Sequence, residues 1–87
     1  MRIINPPPFE KVNDLALLFY KFIEERKNQY QLKIDALKLQ FPLVSYVAIG
    51  DVNGFCSVII EDKIPDWLRQ FIMNCYADAT DEVNQTL

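Results

Sequence analysis

Hydrophobic positions recur along this chain in two rhythms, and the change of rhythm divides it into elements. From Phe9 to about Asn28, residues Phe9, Val12, Leu15, Ala16, Phe19, Phe22 and Ile23 recur at steps of three and four, with no Gly or Pro between them. That spacing predicts an amphipathic helix. Leu17, Leu18 and Tyr20 widen its apolar stripe beyond what one packing face needs, as expected of a helix that is sandwiched or meets a partner. Two runs rich in β-branched and aromatic residues, Leu43–Gly50 and Phe55–Glu61, then flank Asn53-Gly54. This dipeptide is the commonest signal of a type I′ turn, whose two central residues both need positive φ. A hairpin is predicted in which Val52 pairs with Phe55 and Ile49 with Val58.

Alternation assigns the faces of that hairpin. Leu43, Ser45, Val47, Ile49, Cys56, Val58 and Ile60 share the face better suited to a core, and Val44, Tyr46, Ala48, Gly50, Phe55, Ser57 and Ile59 share the other. The second face is also largely apolar, whereas a sheet with one solvated face should alternate more cleanly. A second helix is predicted over Pro65–Ala79, with Pro65 at its first position, Asp66 in its first turn, and Ile64, Trp67, Leu68, Phe71, Ile72, Cys75, Tyr76 and Ala79 along one side.

Three stretches carry weaker patterns. Tyr30–Phe41 alternates as a strand does, with one slip of phase, although its Leu, Lys, Gln and Ala favour helix. A helix continued from Phe9 through this stretch would be far longer than is usual for so small a domain, so a third strand is the expectation and a helix the alternative. Residues 1–8 form a Pro-rich lead-in, in which Ile3 and Ile4 could add an edge strand and Pro8 suits the first position of the helix. Asp78, Asp81 and Glu82 sit poorly at a helix C-terminus, so the last helix is expected to end near Ala79. Residues 80–87 are then either a mobile acidic tail or a final short turn capped by Thr80. The fold expected is a single α+β domain over residues 1–87, two layers deep, with both helices on one face of a small antiparallel sheet.

Composition changes this picture in one respect. With 87 residues the chain is near the small end of what folds unaided, yet it is 51% hydrophobic, so more apolar surface is expected than a narrow sheet and two helices hide. The net charge of −3 divides unevenly, with residues 1–41 at +2 and residues 42–87 at −5. Cys56 and Cys75 fall at core positions, where cysteine acts as a small hydrophobe. No charged-then-apolar leader and no membrane-length apolar run is visible, which makes a reducing cytoplasm the expected compartment and a membrane role unexpected.

The sequence contains little that points to catalysis. It has no histidine, which removes the commonest general base and transition-metal ligand. Ser45, Cys56 and Ser57 have no evident base to activate them, and Gly50 and Gly54 cannot build a phosphate loop. Asp51-x-Asn53 opens like a calcium loop, but Phe55 and Cys56 stand where a ligand and a glycine are required. No catalytic residue, cofactor site or metal site is therefore assigned.

The expected function is a non-enzymatic protein-interaction module: an accessory subunit, adaptor or small inhibitor that binds through its surface as a homodimer or in a hetero-complex. The aromatic and apolar anchors expected at that surface are Tyr20, Tyr46, Phe55, Ile59 and Trp67. The alternative is a nucleic-acid-associated factor using Lys21, Arg26, Lys27, Lys33 and Lys38 around Tyr20 and Tyr30. The α-β-β-β-α order is also that of the double-stranded-RNA-binding domain. However, the lysine-rich start of that domain's last helix has no counterpart in Pro65-Asp-Trp-Leu-Arg-Gln70, and no family is assigned.

Overall fold

The computed structural model of the chain describes residues 3–37, 39 and 42–86, with side chains at 30–33 outside the description. Helix α1 spans Val12–Lys27, short helix α2 Gln31–Ala36 and helix α3 Asp66–Gln85. Strands β1, Val47–Val52, and β2, Phe55–Ile60, form a two-stranded antiparallel sheet. The domain is α+β, as the two rhythms predict, with α3 packed against the hairpin and α1 against α3. Among the described residues no helix is long and apolar enough to cross a membrane.

The hairpin follows its turn chemistry. Asn53 and Gly54 take φ of 55° and 84°, and the register pairs Val52 with Phe55 and Ile49 with Val58, as expected. The Asp51 carboxylate accepts the Gly54 N–H at 2.9 Å, which fixes the turn from its own strand. Gly54→Ala is expected to cost about 1 kcal/mol through backbone strain alone. A Cβ built there meets nothing within 4 Å, so register and fold should survive. A shift of the urea midpoint with unchanged slope would show this.

The first strand starts later than its sequence suggests. Pro42 fixes an extended entry, and Leu43–Tyr46 closes into a 3₁₀ turn with Ser45 N–H donating to the Pro42 carbonyl at 2.8 Å. Pairing then runs from Val47, with the Glu61 N–H adding one further bond to the Tyr46 carbonyl at 3.0 Å.

The third strand expected over Tyr30–Phe41 is replaced by helix. A 3₁₀ turn at Asn28–Tyr30 follows α1, and α2 then covers Gln31–Ala36. Residue preference wins over alternation here, and the 3₁₀ turn removes the objection of excessive length, because two helices are joined at a break. Ile34, Leu37 and Leu39 lie half-buried against the core, and residues 38, 40 and 41 of that stretch lie outside the described residues.

The prolines act one position earlier than expected. Pro8 and Pro65 are the extended residues that precede each helical segment, and Phe9 and Asp66 are the first helical ones. Pro8 also pairs with Phe55 across the outer side of β2, while Ile3 and Ile4 lie outside any strand. The Phe9 N–H donates to the Gly54 carbonyl at 2.8 Å and the Cys56 N–H to the Pro7 carbonyl at 2.9 Å.

Helices α1 and α3 run antiparallel. Asp14 and Leu18, early in α1, line one depression with Val83, late in α3, and Thr86 just past its end. Arg26, late in α1, is bonded to Asp78. Leu15, Phe19 and Ile23 on α1 are completely buried with Leu68, Ile72, Cys75 and Ala79 on α3. Phe19 meets the edge of Tyr76 at 6.0 Å between ring centres. The Tyr76 hydroxyl donates to the Cys56 carbonyl at 2.8 Å, which ties α3 to the outer edge of β2.

The last helix runs to Gln85, six residues past its expected end at Ala79. Thr80 and Val83 are buried in it. The Thr80 hydroxyl donates back to the Ala77 carbonyl at 2.8 Å, so it serves the helix interior and caps nothing. The cost of acidic residues near this C-terminus is offset by that burial and by Arg26, which bonds Asp78 from α1.

Candidate functional site

The pleat sends the two faces of the hairpin into different surroundings. Inward, Val47 and Cys56 are buried and Ile49, Val58 and Ile60 are half-buried against the helices. Outward, Ala48, Gly50 and Val52 on β1 stand beside Phe55, Ser57 and Ile59 on β2. Among the described residues no helix covers this side, and Val52, Phe55 and Ile59 remain 52%, 48% and 58% exposed. The face carries no charge. Ile59 leans over Gly50, whose missing side chain makes room for it: a Cβ there would lie 2.9 Å from Ile59 Cδ1.

The anchors expected from sequence separate into groups. Phe55 and Ile59 share the outer face. Trp67, 37% exposed, lies in the first turn of α3. Tyr20 and Tyr46 are half-buried against the core, with the Tyr20 ring 5.3 Å from that of Phe19. Val52, absent from the expected set, belongs to the outer face, and its pairing with Phe55 in the predicted register was the signal that places it there. Leu17 on α1 and Ile3 are more exposed still, at 74% and 82%, outside the two strands.

Of the basic residues, Lys21 faces Glu25 at 4.0 Å and Lys27 faces Glu24 at 2.9 Å along α1. Arg26 is bonded to Asp78 and lies over the Phe22 ring, 4.7 Å from its centre. These three cations therefore sit among carboxylates. The side chain of Lys33 and all of Lys38 lie outside the described residues.

Neither cysteine is set up as a nucleophile. Cys56 and Cys75 are free thiols, both buried. Burial pushes the Cys75 thiol up, with Arg26 pulling the other way, and burial also raises Cys56, with Asp51 adding to the shift. Burial likewise raises the Tyr76 hydroxyl, which keeps it protonated as the donor to Cys56. Among the described residues no group of three or more Cys, Asp or Glu is placed to hold a metal ion.

A shallow groove runs along the outer side of β2, where Val58 and Ile60 meet Ile4, Pro6, Met73 and Arg69. Arg69 donates to the Glu61 carbonyl at 3.3 Å at its margin. The uncharged outer face of the hairpin departs from an ordinary solvated surface, with three large apolar side chains about half exposed on it. Comparison of the chain with protein-family models, curated proteins and solved structures finds no match.

Proposed function

We propose that this chain is a non-enzymatic protein-binding module of the reducing cytoplasm, an accessory subunit, adaptor or small inhibitor that lays the outer face of its hairpin on another polypeptide. One observation supports this reading above the others. Val52, Phe55 and Ile59 are about half exposed on a strand face that carries no charge, although the same chain keeps Leu15, Phe19 and Ile23 fully buried. Large apolar and aromatic side chains held on a hydrogen-bonded sheet lose little further freedom when a partner covers them, which is how such groups come to dominate interface energy. The basic side of α1 offers less to a nucleic acid, because Lys21, Arg26 and Lys27 already face Glu25, Asp78 and Glu24.

The test is affinity capture from the native source with three baits: wild type, Phe55→Ser/Ile59→Lys, and Leu17→Lys as an exposed apolar control on α1. Wild type and Leu17→Lys should retain the same proteins. The hairpin double variant should lose at least about 30-fold in affinity, as removal of central interface anchors does. Circular dichroism should be the same for all three, since Phe55, Ile59 and Leu17 are exposed. Equal retention by the double variant would remove the hairpin face from the function.

A further inference from the structure

The two edges of the sheet are treated differently. Along β2, the Phe9 N–H and the Pro7 carbonyl occupy the backbone groups of Gly54 and Cys56. The occupying segment includes Pro7 and Pro8, which have no N–H to offer a further strand, so the turn end of this edge is closed. Along β1, no described segment pairs with the outer side. In a two-residue turn the flanking pair, Val52 and Phe55, is the hydrogen-bonded one, so Gly50 and Ala48 also bond across to β2. Val47, Ile49 and Asp51 then direct their N–H and C=O groups away from β2. Among the described residues, no backbone group bonds them there.

The residues of β1 do nothing to protect this edge. Val47-Ala-Ile-Gly-Asp-Val52 has no proline, no lysine and no bulge. Its single charge, Asp51, is occupied by the Gly54 N–H of its own turn.

We infer that the free edge of β1 pairs antiparallel with β1 of a second copy of this chain, about a two-fold axis at Ile49, to give a four-stranded sheet in the order β2, β1, β1, β2. This inference deepens the binding reading above by naming the occupant of the hairpin edge. Three features of the strand favour a second copy. First, the register closes on itself: Ile49 exchanges both bonds with Ile49 of the copy, and Val47 and Asp51 exchange theirs reciprocally, so every outward group on β1 is satisfied. Second, Ala48 stands opposite Gly50 of the copy, so small residues meet at the seam. The two Asp51 side chains end up about 14 Å apart, beyond the screening length of about 8 Å. Third, one hairpin face measures only about 20 by 10 Å, far below the roughly 800 Å² per partner of a stable interface, and pairing doubles it in one plane.

Sedimentation equilibrium of the whole chain tests the proposal. Wild type should move from the 10.2 kDa protomer toward twice that mass as concentration rises. The transition should fall within roughly 5–500 μM, as expected for a small interface. Ile49→Pro removes the central outward N–H without touching the β1–β2 bonds, and Ala48→Lys places a cation at the seam from an exposed position. Both variants should stay at protomer mass throughout, with Ala48→Lys keeping the far-UV spectrum of wild type. Phe55→Ser, on the far strand, should still dimerise. In wild type the Ile49 and Asp51 amides should gain hydrogen-exchange protection with concentration. A wild type that remains a protomer at the highest concentration would overturn the inference. So would edge variants that pair like wild type while Phe55→Ser does not, which would show face-to-face packing. Either result leaves the capture experiment on Phe55 and Ile59 free to succeed or fail by itself.

Discussion

Phe19→Ala is expected to lower the free energy of unfolding by about 3–5 kcal/mol, the range for removing a fully buried aromatic ring. Phe19 is completely buried where α1 crosses α3, and its ring contacts those of both Tyr20 and Tyr76. Three costs combine at this position: the lost transfer of the ring from water, the cavity left behind, and the aromatic contact with Tyr76. Small domains hold on the order of 5–10 kcal/mol in all, so the variant should be barely folded at room temperature. Urea unfolding followed by circular dichroism gives the number directly. A loss under about 1 kcal/mol would mean that the two helices do not pack as described.

The second large effect is expected at the other end of the same interface. Val83→Asp should cost about 2–4 kcal/mol, because an unpaired carboxylate would be forced into a buried site. Val83 is 2% exposed and shares its surroundings with Asp14 and Glu82, so the new charge would meet two of its own sign. Gln85→Asp, exposed at the end of the same helix, separates burial from the general penalty for acid at a helix C-terminus. That variant should change stability by no more than about 0.5 kcal/mol. Paired urea titrations of the two variants check the contrast. Equal small losses would show that the helix is not held down beyond Ala79.

Val83 also shows where local reading stops being sufficient. The hairpin was legible because its information is local: Asn53-Gly54 dictates the turn, the turn dictates the register, and the register assigns every face. The apolar outer face followed from the same alternation, with Phe55 and Ile59 on it. The end of α3 was not legible, because its partners Asp14 and Leu18 are more than sixty residues away along the chain. Three acids in the last turns were therefore weighed without Arg26 and without the burial of Thr80 and Val83. Gln31–Ala36 failed for a different reason. Alternation over a few residues fits a strand and two sides of a short helix equally well, and no strand was near enough to decide between them. Tyr20 and Tyr46 lie half-buried beside the core, and periodicity alone does not separate such rings from those on an open face.

The prolines beside β2 have a consequence for how far assembly can go. A ribbon that is bare along both margins can recruit copies without end, which is the geometry of a fibre. Here Pro7 and Pro8 occupy the turn end of one margin, and among the described residues nothing pairs with the other. Growth from β1 uses that margin up at the first addition, and prolines against the turn end of β2 hinder a second, which favours a finite assembly over an unlimited one.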